Sequence, residues 1–197
     1  MPPSLPATTE AHLARIATGL SGAVVICGFP ASGKSTAARF LRSRTGAPIL
    51  DKDRFAPVLE ESLMARLTGD PFDRDSETYR ALVSPGIYDG LIRTALTVAA
   101  AAPVIVDAPF LSVIRAAHAA GRSLAEHLRA VGGTPDSVPV RTLWLDTPPH
   151  RIRERMVARG AERDAPKLAD WTAYHDGVLA AGNRERAHAV CDLVLET

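Results

Sequence analysis

The chain has 197 residues, 46% hydrophobic and 23% charged, with a formal net charge of +1. That length suits one domain with a sizeable core, and the near-neutral balance argues against a dedicated nucleic-acid binder, which carries a basic excess. The N-terminal MPPSLPATTE lacks the apolar core of a signal peptide, and the longest apolar stretch, near residue 100, is broken by Pro103 and Asp107; no membrane partner and a cytoplasmic location are expected.

In chain order, residues 1–9 read as a loose tail and Glu10–Leu20 as a short helix ended near Gly19 or Gly22, so residues 1–22 precede the domain proper at 23–197. AVVIC (23–27) is a continuous apolar run rich in β-branched residues, the mark of a buried parallel strand. A glycine-rich loop follows, then TAARFLRSR, a helix with Phe40 and Leu41 on its apolar side. APILD (47–51) is a second strand; from Phe55 to Ala101 the chain reads as helical with a polar break at TGDPFDRDS. PVIVDAPF (103–110) is a third strand, and SVIRAAHAAGRSLAEHLRAVGG reads as one helix stopped by Gly132 and Gly133. VRTLWLD (140–146) is a fourth strand, Pro148–Arg159 and Asp164–Ala181 are helical, and AVCDLVLE (189–196) is a fifth strand. Strands alternating with helices predict an α/β fold, with a five-stranded parallel sheet covered by helices on both faces and the first strand central. The two cysteines, Cys27 and Cys191, lie in apolar runs and read as buried reduced thiols. The histidines form no ligand pattern.

The loop is GFPASGKST. Gly28 to Ser35 fits G-x-x-x-x-G-K-[ST] at every fixed position, between a predicted strand and a predicted helix. Glycines at 28 and 33 permit backbone angles that a Cβ forbids. The N–H groups of Pro30's successors, Ala31, Ser32 and Gly33, then turn inward as an anion nest, and the following helix adds its positive end. Lys34 reaches the β- and γ-phosphates, the Ser35 hydroxyl ligates Mg²⁺, and Thr36 touches the α-phosphate. The loop predicts a three-layer P-loop NTPase fold, with ATP and Mg²⁺ as the expected ligands. A guanine-reading N-K-x-D is absent, since KLAD (167–170) lacks the Asn and the spacing, and a large ATPase needs a longer chain. A small kinase fits best.

The second strand ends in DKDRF. At the carboxyl ends of strands in an open α/β sheet, side chains face the ligand crevice. Asp51 and Asp53 stand where a γ-phosphate lies, and in an extended chain they point the same way. One serves as the base for an acceptor hydroxyl and the other holds magnesium-bound water.

GFPASGKST, followed by a strand ending in ILDKDRF, resembles the small-molecule and polynucleotide kinase branch of P-loop kinases. That branch includes the chloramphenicol phosphotransferases, the zeta toxins and the polynucleotide 5′-hydroxyl kinases. The zeta toxins carry a similar D-x-D-x-F string whose second Asp is the proposed base, so the resemblance implies Asp53 as base and Asp51 as the supporting carboxylate. VIVDAPF closes on Asp107 like a Walker B strand, which implies a carboxylate for magnesium-bound water or Ser35. After the fourth strand, WLDTPPHRIRERMVARGAERDAPKL carries Arg151, Arg155 and Arg159 on one helix stripe, with Arg163 beyond Gly160. Only Glu154, Glu162 and Asp164 offset them, so the stripe reads as uncompensated. Small P-loop kinases place such arginines on a lid, here residues 148–170, where a guanidinium stabilises the transferring phosphoryl group. Arg155 and Arg159 are the leading candidates, Arg163 the next.

The acceptor region, residues 56–100, falls outside the resemblance. Arg54, Tyr79, Arg80, Tyr88 and Phe110 are candidate acceptor contacts, with Tyr79 and Tyr88 lining one groove. Few aromatics and mixed charges suit a polar small molecule better than a stacking platform for nucleic acid. The expected activity is ATP- and Mg²⁺-dependent phosphoryl transfer to a hydroxyl of an antibiotic, sugar or nucleoside. Two alternatives stand beside it: a nucleotide-dependent regulatory module, and a 5′-hydroxyl polynucleotide kinase.

Overall fold

The computed structural model describes residues 5–197. Five strands form one sheet: β1 (Ala23–Gly28), β2 (Ile49–Asp51), β3 (Val104–Asp107), β4 (Val140–Asp146) and β5 (Leu193–Glu196). Their order is β2-β3-β1-β4-β5 and every pairing is parallel. β1 is central, and all six of its residues are buried. That burial explains why its sequence is apolar without alternation: each face of a parallel sheet is covered.

The two faces divide the strand residues by parity. Ala23, Val25 and Cys27 of β1 join Val104, Val106 and Trp144 in one core. This core is closed by α5 (Ser84–Ala99), α6 (Leu111–Ala119), α7 (Leu124–Gly132) and α11 (Asn183–Val190), numbered in chain order with those introduced below. Val24 and Ile26 join Ile105, Leu143 and Leu145 in the other core, against α1 (Ala7–Thr18) and α2 (Lys34–Thr45). Between β2 and β3 lie α3 (Lys52–Phe55), α4 (Pro57–Leu67) and a π-helical turn (Tyr79–Val83). Met64, Tyr79, Val83 and Ile87 form a separate small core there. After β4 come α8 (Pro149–Arg159), a 3₁₀ turn (Glu162–Asp164), α9 (Ala165–Ala169), α10 (Trp171–Tyr174) and a second π turn (His175–Leu179). Among the described residues no helix is long and apolar enough to cross a membrane.

Four sequence expectations need correction. The helix expected over 112–133 is two helices, because Ser123 builds a capping box. Its hydroxyl accepts from the Glu126 N–H at 3.2 Å, and the Glu126 carboxylate accepts from the Ser123 N–H at 2.8 Å, which starts a new helix. The fifth strand begins at Leu193, since 183–190 complete a helix and the Asp192 carboxylate then takes the N–H of Thr142 at 2.7 Å. The third strand stops at Asp107, where the chain leaves the sheet and Phe110 turns at φ +57° into α6. The tail expected over 1–9 lies outside the described residues for 1–4; the chain is helical from Ala7, with Thr9 donating to the Glu196 carbonyl at 2.5 Å. Cys27 and Cys191 are free thiols, the first buried and the second partly exposed.

Candidate active site

The loop after β1 is held open from within. Gly28 adopts φ +152° and Gly33 φ +97°, both forbidding to a side chain. A Cβ on Gly28 would stand 2.5 Å from Ser32 Oγ and 3.1 Å from the Leu145 carbonyl oxygen. Ala31 takes the left-handed conformation without glycine, at φ +63°. The Ser32 carbonyl accepts from Thr147 Oγ1 at 3.2 Å and from Thr197 Oγ1 at 3.0 Å, so the ends of β4 and β5 brace the loop from below. Lys34 opens α2, is largely buried, and donates to the Phe29 carbonyl at 2.8 Å. Burial lowers its amine pKa, while Asp107 and then Asp53 oppose that shift. Pro30 and Ala31 are half-buried, Ser35 is exposed and Thr36 half-buried on the solvent side of the loop.

Strand register sets the carboxylates. Asp51 is the direct partner of Asp107 across β2 and β3, at the ends that face the loop. Asp107 is only 5% exposed; burial pushes its carboxyl up, with the Lys34 charge and the Ser35 hydroxyl opposing. A buried carboxylate beside a second carboxylate and a serine hydroxyl fits a hard divalent cation that shares its shell with water and phosphate oxygens. Among the described residues no three His, Cys, Asp or Glu side chains form a group that could hold a metal ion. The extended-chain expectation for 51 and 53 is corrected. Asp51 N-caps α3, its Oδ1 accepting from the Asp53 N–H at 2.9 Å, so the chain coils after Asp51 and does not run on extended through Asp53. Asp53 lies half-exposed and bonds Arg163 Nη1 at 2.5 Å.

The arginine stripe is not uncompensated. Arg159 grips Asp164 with two bonds of 2.7 Å, and Asp164 is 2% exposed, so this guanidinium shapes the turn after α8. Arg163 reaches across to Asp53, and Lys167 reaches Asp75 at 2.7 Å, which ties 162–167 to the region between β2 and β3. Arg155 turns to the loop, with Nη1 3.4 Å from the Ala31 carbonyl oxygen and close beside Gly33, and the Arg159 charge acts on Lys34. Arg151 is exposed. The sequence offered no sign of Asp75 or of the two threonines, because their roles depend on residues 92 or more positions away.

Two of the acceptor candidates are elsewhere. Tyr79 lines no open groove: it is 6% exposed, its hydroxyl donates to Glu60 at 2.5 Å and it accepts from Lys52 at 2.7 Å. Arg80 points away, held by Glu77 and the Asp75 carbonyl. Tyr88 and Phe110 are buried against each other, ring centroids 5.2 Å apart, with the Phe110 N–H donating to the Tyr88 hydroxyl at 3.3 Å. The Tyr88 hydroxyl lies in the field of Asp53, though burial is the chief cause that keeps it protonated. Arg54 is exposed next to Asp53.

The loop, the parallel sheet with β1 central and the helical segments after β2 and β4 define a P-loop nucleotide-binding fold of the kinase type. The chain matches the AAA domain family over residues 24–180, from the first strand through the arginine segment, and belongs to that family. An unliganded sugar kinase from Janibacter sp. HTCC2649 is similar with a TM-score of 0.51 and 20% identity, over 89% of this chain and 85% of that one. Shikimate kinase from Acinetobacter baumannii, solved with shikimate, is similar with a TM-score of 0.43 and 18% identity, over 94% and 87%. These are likenesses of fold. No curated protein matches the chain.

Proposed function

We propose that the protein is an ATP- and Mg²⁺-dependent phosphotransferase that moves the γ-phosphoryl group of ATP to a hydroxyl of a small molecule such as a sugar, nucleoside or antibiotic. The reading rests on one juxtaposition. Asp53 stands close enough to Lys34 to shift its amine, and it is gripped by Arg163 of the segment after α8. A regulatory module needs no carboxylate at that place; a kinase does.

The roles follow from position. The nest of 28–33 and Lys34 hold the phosphates, and Ser35, Asp51 and Asp107 hold the metal's ligand sphere. A bound magnesium ion would neutralise charge on the β- and γ-phosphates. Asp53 orients the acceptor hydroxyl and takes its proton as the oxygen bonds to the γ-phosphorus and ADP departs. Arg155 and Arg163 supply donors to charge that spreads over the phosphoryl oxygens in transit. Arg159 acts through Asp164, keeping the turn that presents Arg163.

The test is a thermal-shift screen with Mg·ATP against a panel of sugars, nucleosides and hydroxylated antibiotics, with mass spectrometry of every stabilising compound. One panel member gaining a phosphoryl group, and losing that gain in Lys34→Ala, is the expected result. Nucleotide binding with no phosphorylated product from any hydroxyl compound would favour the regulatory module. Phosphorylation confined to the 5′ end of an oligonucleotide, with binding that weakens steeply with salt, would favour the polynucleotide kinase.

A further inference from the structure

Asp51, Lys52 and Asp53 take three different partners at one turn. Asp51 lies at the sheet end beside Asp107 and caps α3. Asp53 faces Arg163. Lys52 goes the third way, into the interior of the segment between β2 and β3. Its side chain is 7% exposed and Nζ lies 2.5 Å from Glu60 Oε1 and 2.7 Å from the Tyr79 hydroxyl. Tyr79 in turn donates to the same Glu60 oxygen at 2.5 Å, closing a three-membered ring of contacts. Glu60 is 0% exposed, and its other oxygen is 3.5 Å from Arg74 Nε.

This arrangement is unusual for its sequence. α4 carries Glu60 inward beside Met64 while Leu59, Leu63 and Leu67 are exposed, so a glutamate takes a core-facing position of the helix. Burying a glutamate at that helix position is unfavourable unless a cation meets it there. Two cations meet it, Arg74 at one oxygen and, at the shorter distance, Lys52, the residue between the two carboxylates of the site. A buried ion pair is weak evidence of added stability, since apolar residues of similar size often do as well. This one holds Lys52 Nζ and the Tyr79 hydroxyl to one oxygen of Glu60, a contact each makes only in this placement.

We infer that Lys52 is a positioning residue. Anchored by Glu60 and Tyr79, it sets the start of α3, and through the backbone it fixes where Asp51 and Asp53 stand relative to the phosphate loop. The inference rests on the proposed phosphotransfer reading. Lys52 touches neither nucleotide nor acceptor. Its effect arises because a displacement of about 1 Å of a reacting group can lower a rate on the order of 10²-fold.

The test uses the full chain with Mg·ATP and water as phosphoryl acceptor, read as single-turnover ADP formation. Hydrogen exchange of the amides of residues 52–55 is followed in parallel. Lys52→Met leaves Glu60 buried and charged and can unfold the region, so the decisive variant is Lys52→Met with Glu60→Gln, which removes both charges at similar volume. We expect this pair to bind Mg·ATP within about twofold of wild type, to exchange the 52–55 amides faster, and to turn over about 10- to 100-fold more slowly. Lys52→Arg, which keeps the charge, should recover part of the rate. Asp53→Asn is the reference. If Asp53→Asn slows turnover while the double variant matches wild type in rate and exchange, the inference fails and the phosphotransfer reading stands. If Asp53→Asn turns over like wild type, that reading falls and the inference falls with it. Slow turnover with unchanged exchange at 52–55 would also overturn the inference, because the turn would then be in place without its anchor.

Discussion

Replacing Asp53 by Asn isolates the carboxylate from everything else in the site. The side chain is half-exposed, and its one ion pair, with Arg163 at 2.5 Å, joins two groups with side-chain exposures of 57% and 49%. A pair that open contributes about 0–1 kcal/mol, which in a domain of this size moves the melting temperature by no more than roughly 4 °C. The fold of α3 does not depend on the carboxylate either, because the bond to Asp51 is made by the Asp53 backbone N–H. Nucleotide affinity should stay near normal, since the nest, Lys34 and Ser35 are untouched. Phosphoryl transfer should fall by about 10²–10⁴-fold, the worth of a positioned general base, and towards the lower end where the transition state is loose and asks little of its base. The assay is single-turnover transfer beside Mg·ATP titration and thermal melting. Wild-type transfer with a normal melt would refute the reasoning. Transfer lost together with nucleotide binding would do so as well, since the defect would then lie in the loop.

Gly28→Ala must place a Cβ 2.5 Å from Ser32 Oγ at a backbone angle of φ +152°, so strain and overlap together should cost roughly 2–5 kcal/mol and lower the melting temperature, with Mg·ATP binding lost; a normal melt would contradict the loop conformation. Asp107→Asn should raise the melting temperature without nucleotide and abolish the magnesium-dependent stabilisation by ATP. Burial holds the Asp107 carboxyl above its unfolded value, so its contribution is fully present below about pH 4 and is lost as pH rises through the folded-state value. Melting curves of wild type and variant should therefore converge towards acid and separate towards neutrality. Arg155→Ala removes only a 3.4 Å contact with the loop and should lower kcat with little change in stability, whereas Arg159→Ala strands the buried Asp164 and should cost about 1–3 kcal/mol besides; differential melts and single-turnover rates of the two variants check the contrast.

Much of this protein was legible from sequence because the relevant forces are local or periodic. The loop declares itself: Gly28, Gly33, Lys34 and Ser35 are each required by backbone angles or by phosphate chemistry within eight residues. The apolar runs of β1, β3 and β4 announce burial on two sides, and strand-then-helix alternation admits few arrangements besides a parallel sheet. What the tertiary structure decided lay beyond that range. Register set Asp51 against Asp107, and an N-cap at Asp51 coiled the chain so that Asp53 meets Arg163. The basic stripe reads as uncompensated from sequence because spacing does not show that Asp164 meets Arg159 with two bonds or that Asp53, 110 residues away, meets Arg163. Tyr79 reads from sequence as a groove-lining acceptor contact, but Glu60 and Lys52, 19 and 27 residues away, draw its hydroxyl inward. Composition and spacing specify which groups a site needs; only packing, by leaving each buried charge one place to be satisfied, decides which of them meet.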